Sequence, residues 1–511
     1  MFRATGAAQL TLTMRVFPSA IVALTGLVLS AAPGQSPGPS PVQVTVETRP
    51  NFILFLVDDV SWDDLGCYGH PTLETPCLDA LAAGGLRFTQ AYLQASSCSP
   101  SRCSIITGRY PHNTGAPELH TALPEGQVLF PELLREAGYH TVLSGKNHMG
   151  PAVGKAFTKI SKGKGPGKER DWVELVRERP RDKPFFFWFA STDAHRSWQF
   201  DDDARTYEPS EVVVPPYLVD APATRSDLTG YYHEVSRFDA FVGRVTAELE
   251  EQGALANTVL VFIADNGRPF PRCKTRLYDS GIKTPLIIHW PARVKPGVTS
   301  SFAAAIDLSA TFLDLAGVDA DERIQGVSLA PVLEDPSAVV RDVVFAEHNW
   351  HVFQNHERMV RFGDWLYIRN NIPDQANLCL EALEDGAGED LWRAHAAGEL
   401  GELQQQVVRE QCPAEELFHV GDDPLQLTNV AGRTENAAVL RALRSLLDEW
   451  TERTGDDVPA DLTPDRQPRP GAADAAPRGK RPLKRGAMPG AAHGAETIVD
   501  PGPVRTELAH G

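Results

Sequence analysis

Residues 51–59 read NFILFLVDD, a nearly unbroken apolar run that ends in two aspartates. A continuous apolar run of this length, rather than an alternating one, indicates a parallel strand that is buried on both faces. Asp58 and Asp59 then follow the carboxyl end of that strand. Ligands of open α/β sheets bind at this end of the strands. The stretch therefore predicts a parallel sheet with a ligand site beside Asp58 and Asp59.

The same pattern recurs further along the chain. Residues 183–190 (KPFFFWFA) and 258–264 (TVLVFIA) are predicted strands, and the second runs directly into Asp265 and Asn266. Helical periodicity fills the intervals, most clearly over residues 228–251. Strands that alternate with helices predict the α/β class, with a mostly parallel sheet flanked by helices. Asp265 and Asn266 should then lie at the same edge of the sheet as the first aspartate pair.

The pattern changes after about Arg341. Shorter strands of antiparallel type and an amphipathic helix over residues 439–450 predict a smaller α+β subdomain. After Pro459 the chain is rich in Pro, Ala and Gly, a composition typical of disorder. The predicted divisions are a signal peptide (1–32), a linker (33–47), a catalytic domain (48–340), a C-terminal subdomain (341–455) and a disordered tail (456–511).

Net charge argues against nucleic acid as a partner. The 511 residues include 49 Lys and Arg against 67 Asp and Glu, a net charge of −18. At the N-terminus, Arg3 and Arg15 precede an apolar run over residues 21–29 and then small residues, which predicts an export signal. The protein would then be periplasmic or secreted, without stable membrane insertion, because the run is short for a membrane span. An uncleaved anchor is the alternative.

The chain has seven cysteines. If Cys98 is chemically converted, six cysteines remain, an even number that is compatible with disulfides in an exported protein. Reduced, buried thiols are the alternative.

Cys98 begins a stretch with the pattern C-x-P-S-R-x-x-x-x-T-G, over residues 98–108. Pro100 suits the first turn of a helix, and Ser99 can cap it. Cys98 would then lie at the helix N-terminus, where the helix dipole favours an anion. The pattern resembles the type I sulfatase signature. A structural cysteine that is buried or disulfide-bonded is the alternative for this stretch taken alone.

A second stretch, residues 138–148 (GYHTVLSGKNH), resembles the second signature of the same family. Strand geometry would project Lys146 and His148 to one side. A cation and an imidazole directed at one pocket suit an anionic centre and proton transfer. The alternative for these two residues alone is a polar turn.

The resemblance to sulfatases implies a fold, a nucleophile and a metal site. The fold would be alkaline-phosphatase-like. Cys98 would be oxidised to formylglycine (3-oxoalanine) by a formylglycine-generating maturation enzyme, and one Ca²⁺ would be bound. The implied metal ligands are Asp58, Asp59, Cys98, Asp265 and Asn266. The implied catalytic residues are Cys98, Arg102, Lys146, His148, His195 and Lys274.

Residues 265–278 (DNGRPFPRCKTRLY) look most like the heparan N-sulfatase branch, which carries arginine where this chain has Lys274. The implied substrate is a sulfated glycan, specifically N-sulfoglucosamine of heparan or heparin. The alternatives are an O-sulfated sugar or an aryl sulfate, a phosphate or phosphonate ester, and a non-catalytic glycan-binding role with unmodified Cys98. The oligomeric state is open, with a homodimer among the candidates.

Two sets of residues are candidates for the edge of the pocket. Four cationic residues could form a basic rim for an acidic sugar, or could be solvated surface charge: Arg196, Arg272, Arg276 and Lys283. Three histidines of the subdomain could approach the pocket mouth, or could belong to a polar strand or loop: His348, His351 and His356.

Overall fold

The computed structural model describes residues 49–376, 378–383, 386–469 and 483–507; the predicted signal peptide and linker lie outside these ranges. Its strands are β1 (Asn51–Val57), β2 (Leu86–Phe88), β3 (Ala91–Tyr92), β4 (His140–Gly145), β5 (Lys159–Ser161), β6 (Phe185–Ala190), β7 (Thr258–Ala264), β8 (Leu286–His289), β9 (Gly297–Thr299), β10 (Ala303–Ala304), β11 (Val343–His348), β12 (Glu357–Phe362), β13 (Trp365–Asn370) and β14 (Glu415–His419). Its helices are α1 (Pro76–Gly84), α2 (Cys98–Thr107), α3 (Phe130–Glu136), α4 (Trp172–Glu178), α5 (Pro222–Glu251), α6 (Asp279–Ile282), α7 (Asp307–Ala316), α8 (Ala330–Glu334), α9 (Ala387–Ala397), α10 (Glu402–Gln405) and α11 (Ala437–Thr454).

The central sheet has the strand order β5-β4-β6-β1-β7-β8-β2-β9. Its strands are mostly parallel, which confirms the predicted α/β class. Strand β8 is the exception, because it runs antiparallel to both β7 and β2. Between β7 and β8 the only regular element is α6, of four residues. That is too short to be the crossover helix that a parallel connection uses, so the chain turns back beside β7.

Strand β1 is buried on both faces, as its apolar run predicts. Successive side chains of a strand point to opposite faces. Accordingly, Phe52 and Leu54 join one hydrophobic cluster, which includes residues of α3 and α7. Ile53 and Phe55 join the opposite cluster, which includes residues of α1, α4 and α5. Burial on both faces makes β1 the centre of the fold and fixes where Asp58 and Asp59 emerge.

Helix α5 covers one face of the sheet over 30 residues, beginning with Pro222 in its first turn. A proline is tolerated there because the N–H that it lacks would have no partner within the helix. Neither α5 nor any other helix in the described ranges combines the length and the apolar character that crossing a lipid bilayer requires.

The predicted α+β subdomain is an antiparallel sheet, β11-β12-β13-β14, that packs against α11. Leu443, Leu447 and Trp450 of α11 are completely buried. They belong to a hydrophobic cluster that also contains Tyr92 and Ile282 from the first part of the chain. The small sheet is therefore packed against β3 and α6 from the first part of the chain. The predicted boundary between residues 340 and 341 remains a prediction.

The tail differs from its predicted disorder. Residues 456–469 and 483–507 are described, and the second range lies against the body of the protein. The buried guanidinium of Arg109 donates hydrogen bonds to the carbonyl oxygens of Ala495 (3.3 Å), Glu496 (3.2 Å) and Ile498 (2.7 Å). Composition alone predicts disorder because few apolar side chains are present. Main-chain carbonyl groups bound by a buried arginine supply a contact that composition does not show.

The seven cysteines all lie in the described ranges, and none forms a disulfide. The structure therefore agrees with the alternative of reduced thiols. Cys98, Cys103, Cys273 and Cys379 are buried.

Replacing Phe312 tests the aromatic core between the sheet and α7. The Phe312 ring centroid lies 5.3 Å from those of Phe52 and Phe130 and 5.4 Å from that of Phe186. Phe312→Ala should lower the free energy of unfolding in urea by about 3–5 kcal/mol, because it leaves a cavity. Phe200, which is 55% exposed, is the control, and Phe200→Ala should cost less than about 0.5 kcal/mol. Equal losses would contradict this assignment of the core.

Candidate active site

The two acidic strand ends lie side by side because β1 pairs in parallel with β7, with Val57 opposite Ala264. The main-chain N–H of Asp59 donates to Oδ1 of Asp265 at 3.1 Å. The side-chain amide of Asn266 donates to Oδ1 of Asp59 at 2.6 Å. These residues and Asp58 are completely buried. The pairing of two strands thus collects three carboxylates and one amide at a single point.

Cys98 lies at the same point, as the first residue of α2. Its Sγ is 3.7 Å from Oδ1 of Asp59. Potential ligand atoms of Asp58, Asp59 and Cys98 all lie within 4.8 Å of one another. The cap position is occupied by Ser97, and not by Ser99 as predicted. The Ser99 hydroxyl instead accepts a hydrogen bond from the main-chain N–H of His120 at 2.8 Å.

Each of the three carboxylates contacts a cation. The Lys146 ammonium group contacts Asp58. The Lys274 ammonium group is 2.7 Å from Oδ2 of Asp59. The guanidinium of Arg102 donates through Nε to Oδ2 of Asp265 at 2.7 Å. Arg102 also donates to the main-chain carbonyl of Lys146 at 3.0 Å, so two of the cations are held together.

These cations decide the ionisation of the aspartates. Burial raises the pKa of Asp58, but Lys146 and Arg102 lower it, and the net result is a pKa below the ordinary value. Burial likewise raises the pKa of Asp59, and Lys274 and His195 bring it below the ordinary value. The pKa of Asp265 stays raised, because burial and the charge of Asp58 outweigh the effect of Arg102. Asp58 and Asp59 are therefore anionic at neutral pH.

Two buried oxygens at this point have no hydrogen-bond partner, Oδ1 of Asp58 and Oδ1 of Asn266. A buried acceptor without a partner is costly, and a bound cation would satisfy both. Carboxylate and amide oxygens are the ligands that Ca²⁺ and Mg²⁺ prefer. With all three carboxylates ionised, they and the three cations sum to zero charge, so a divalent ion would make the site positive. The donor set thus fits a divalent cation, and the resulting charge suits an anionic substrate.

A second acidic cluster in the described ranges is a different kind of site. His112, Glu347 and Asp456 could also place ligand atoms within 4.8 Å of one another. However, the Arg358 guanidinium already occupies this cluster, with Nη2 donating to Oδ1 of Asp456 at 2.7 Å. The cluster is therefore a buried ion-pair network that holds α11 to β12.

His148 belongs to a pair of histidines. Its Nε2 is 2.7 Å from Nδ1 of His120, and its own Nδ1 is buried without a hydrogen-bond partner. Burial, and then Lys146 and Arg102, lower the pKa of His148 to about 2, so its ring is neutral. Strand β4 ends at Gly145. Lys146 and His148 therefore lie on the loop that follows, and not on one side of a strand as predicted.

His195 follows β6 and has an exposed side chain. Its Nδ1 is 2.6 Å from the main-chain carbonyl of Arg196. Its effect on the pKa of Asp58 and Asp59 places it near the aspartates, though it is not in their hydrogen-bond network. His195 thus lies at the open side of the site.

Several residues that the catalytic motifs do not include also reach the site. Nδ1 of His351 is 2.6 Å from Oγ of Ser97, next to Cys98. Oε1 of Glu381 is 3.5 Å from the Lys274 ammonium group. His120 contacts His148, as described above. His120 and His351 lie in irregular segments, and Glu381 lies in a short 3₁₀ helix, Leu380–Ala382. The positions of these segments depend on tertiary packing, so no local motif marks the three residues.

Of the three histidines considered for the pocket mouth, only His351 lies beside the motif residues. His348 is 2.9 Å from Glu357 through Nδ1, and the His356 ring contacts the main-chain carbonyl of Asp457 at 2.8 Å. Both therefore have structural partners in the C-terminal part of the chain.

The basic rim is not formed. Arg272 and Arg276 are buried, and the Arg272 guanidinium donates to the main-chain carbonyl of Leu425 at 3.0 Å. Arg196 forms a two-point ion pair with Asp227. The fourth cation, Lys283, stacks 4.1 Å from the Trp62 ring centroid. These four residues stabilise the loops around the site and do not present a charged surface.

Comparison with known proteins identifies the family. The sulfatase family model matches residues 50–166 and 170–318, which include every residue of the motifs described above. The chain belongs to the sulfatase family. Sulfatases are sulfuric ester hydrolases, so the protein is an enzyme of that class. A second family model, "N-sulphoglucosamine sulphohydrolase, C-terminal", matches residues 273–364 of this sulfatase.

Curated relatives cover most of the chain. An "Ulvan-active sulfatase" of Formosa agariphila is 29% identical over 480 residues, with 82% of this chain and 78% of the relative aligned. Human N-sulphoglucosamine sulphohydrolase is 28% identical over 460 residues, with 80% and 90% aligned. Human arylsulfatase A is 28% identical over 366 residues, with 57% and 69% aligned.

Solved structures share the fold. One, determined in complex with its substrate D-glucosamine-2-N,6-O-disulfate, superposes with a TM-score of 0.61 at 20% identity, covering 79% of this chain and 98% of that one. A 2-O GAG sulfatase superposes with a TM-score of 0.60 at 20% identity, covering 80% and 92%. At this identity the likeness concerns the fold alone.

The depressed pKa of His148 predicts a pH dependence of stability. The folded pKa is about 2 and the ordinary value is 6.5, so below pH 6.5 the unfolded chain binds more protons at this residue. The stability that His148 contributes is therefore lost as pH falls. His148→Gln should make the decline of unfolding free energy between pH 6.5 and about pH 4 shallower, by up to about 1.4 kcal/mol per pH unit. Urea unfolding at several pH values measures this slope, and an unchanged slope would contradict the assignment.

Proposed function

We propose that this sulfatase hydrolyses a sulfated glycan, with the sulfamate of N-sulfoglucosamine as its preferred substrate. The observation that carries a sulfatase mechanism is the convergence of Cys98, three carboxylates and three cations at the carboxyl ends of β1 and β7. The choice of substrate is supported by the second family model over residues 273–364 and by the human relative of the same name.

The donor set supports a divalent cation, which we propose is Ca²⁺, and a modified residue at position 98. The proposed ligands are Asp58, Asp59, Asp265, Asn266 and residue 98. Together, a formylglycine at 98 and the cation would supply a hydrated aldehyde oxygen of lowered pKa as the nucleophile. The remaining steps fall to side chains that the chain itself provides.

Three cations bind the sulfate and stabilise its charge. The Lys146 and Lys274 ammonium groups reach the carboxylates of Asp58 and Asp59, so they meet at the point where a sulfate would approach the metal ligands. Arg102 is held by Asp265 in the same network. Fixed positive groups around the sulfuryl oxygens stabilise the charge that builds up in the transition state.

Two histidines on different sides of the site transfer protons, one as a donor and one as an acceptor. His195, at the open side, is positioned to protonate the departing nitrogen or oxygen of the sugar. Nδ1 of His148 has no hydrogen-bond partner, so its lone pair is available for a proton. Burial and the charges of Lys146 and Arg102 lower the pKa of His148, and a bound sulfate would offset those charges. Hydrolysis of a sulfamate then leaves a free amine and inorganic sulfate.

The alternatives share this site. An O-sulfated sugar or an aryl sulfate would use the same residues, and the relatives of this chain include an ulvan-active sulfatase and arylsulfatase A. A phosphate or phosphonate ester would also fit a metal site with nearby cations. A glycan-binding protein with unmodified Cys98 is disfavoured, because a binder would not need the cationic and proton-transfer groups that this chain has: Arg102, Lys146, His148 and His195.

Export and maturation form part of the proposal. We infer a periplasmic or secreted protein from the predicted signal at residues 1–32, which lies outside the described residues. A formylglycine-generating enzyme would act on Cys98. A homodimer remains a candidate assembly.

Calcium binding can be measured without activity. Ca²⁺ at a hundred times its dissociation constant should raise the free energy of unfolding by about 2.7 kcal/mol, because it binds only the folded state. Asp59→Asn should abolish this increment, since it removes a buried ligand carboxylate. Asp319→Asn, at an exposed aspartate, should retain it. An increment that survives in Asp59→Asn would show that the ion binds elsewhere.

Substrate choice is decided by a release assay on the enzyme matured in its native host. Sulfate release from N-sulfoglucosamine should exceed release from 6-O-sulfated glucosamine by roughly tenfold or more in kcat/KM, and p-nitrophenyl phosphate should not be cleaved. Such a ratio corresponds to about 1.4 kcal/mol or more of transition-state discrimination. Preference for the O-sulfate would overturn the substrate and leave the sulfatase mechanism standing.

Variants of Cys98 provide the control for this assay. Cys98→Ala should abolish turnover while the protein stays folded, and mass spectrometry of the peptide spanning residues 88–102 should find an aldehyde at 98 in the active enzyme. Cys103→Ala, further along α2, should keep turnover. Wild-type rates in Cys98→Ala would disprove the nucleophile.

A further inference from the structure

The loop of residues 116–121 (APELHT) carries His120 to the catalytic site. The His120 ring meets His148, with 2.7 Å between Nδ1 of His120 and Nε2 of His148. Both residues have a left-handed backbone, with φ of 62° and 56°. That conformation is uncommon for residues other than glycine and persists where surrounding contacts enforce it. The position of this histidine pair therefore depends on what holds the loop.

The C-terminal segment, residues 483–507, holds the 116–121 loop in place. Arg485 donates through Nη1 to Oε2 of Glu118 at 2.7 Å, and through Nη2 to the main-chain carbonyl of Leu119. The same carboxylate oxygen accepts a hydrogen bond from Thr463 at 2.7 Å. Thus one guanidinium, more than 360 positions away in sequence, binds the two residues that directly precede His120.

The surroundings of Arg485 make this contact strong. Its guanidinium lies 4.8 Å from the centroid of the Trp350 ring. Glu118 is 1% exposed, and its carboxylate would lose its only cationic partner in the described ion pairs if Arg485 were removed. A planar fork that bonds a carboxylate and a carbonyl at once cannot be reproduced by a point charge. A buried carboxylate without its cation is costly, so the loop would shift to expose it.

His120 in turn determines how His148 is protonated. Nδ1 of His148 is buried without a partner, so a proton there would be an unsatisfied buried donor. The proton therefore belongs on Nε2, which donates to Nδ1 of His120. This tautomer leaves Nδ1 of His148 bare and able to accept a proton. If His120 were displaced, Nε2 of His148 would lose its hydrogen-bond acceptor, and the Nε2–H tautomer would no longer be favoured.

We propose that Arg485 is a positioning residue: from the C-terminal segment it clamps the 116–121 loop and so fixes the tautomer and orientation of His148. The consequence for turnover rests on the proposed function, because it assumes that His148 transfers a proton in sulfate hydrolysis. The clamp itself does not rest on it.

Two measurements that need no activity test the clamp on the full-length protein. Arg485→Gln and Glu118→Gln should each raise hydrogen–deuterium exchange at residues 116–121, while exchange in β1 and β7 stays as in wild type. The ¹⁵N NMR signals of His148 should change from a single Nε2–H tautomer to a mixture. Lys484→Gln removes an equal charge from the neighbouring exposed residue and should change neither readout.

Kinetics then test the link to catalysis. Arg485→Gln should lower kcat roughly tenfold to a hundredfold with little change in KM, the usual effect of losing a group that orients a catalytic residue. Arg485→Lys keeps the charge but only part of the bonding, and should fall between wild type and Arg485→Gln. If Arg485→Gln does not fold, as judged by circular dichroism, Arg485→Lys and Glu118→Gln are compared instead.

The outcomes separate the two claims. Unchanged loop exchange and an unchanged His148 tautomer in Arg485→Gln would overturn the clamp, whatever the activity. A changed loop and tautomer with wild-type kcat would overturn the link to catalysis. If the wild-type enzyme releases no sulfate from any substrate, the proposed function fails, and the exchange and tautomer measurements still decide the clamp.

Discussion

The structure around the site depends on how three buried carboxylates are held together away from solvent. Asp58, Asp59 and Asp265 are completely buried, at the adjacent ends of two parallel strands. Burial opposes their ionisation, and like charges oppose it further. The free-energy cost of burying these charges is offset because a separate cation contacts each carboxylate. A divalent metal ion would add positive charge to the site and so favour the binding of an anion.

The three cations come from different parts of the chain, and this explains much of the architecture around the sheet. Arg102 is on α2, Lys146 follows β4, and Lys274 lies on the loop between β7 and β8. The chain must therefore bring several connections to the carboxyl edge of the sheet. The connection from β7 to the antiparallel strand β8 contains no crossover helix, and this keeps Lys274 at that edge of the sheet.

The outer residues of the site are held by parts of the protein that lie outside the central sheet. His351, beside Ser97, follows β11 of the small antiparallel sheet. Glu381, beside Lys274, lies between β13 and α9. The C-terminal segment contacts the loop that carries His120. The central sheet and the motif residues lie within the match to the sulfatase family model, whereas Glu381 and Arg485 lie outside it.

The sequence by itself determined the α/β class, the positions of the acidic strand ends and the motifs of Cys98 and Lys146, because these depend on local patterns. An apolar run that ends in charges describes a buried strand whatever surrounds it. Tertiary structure alone decided that the Ser99 hydroxyl bonds His120 while Ser97 takes the cap position of α2, that Arg272 and Arg276 are buried, and that His120 meets His148. It also decided that residues 483–507 lie against the body. Each of these depends on contacts between residues far apart in sequence, which no local pattern encodes.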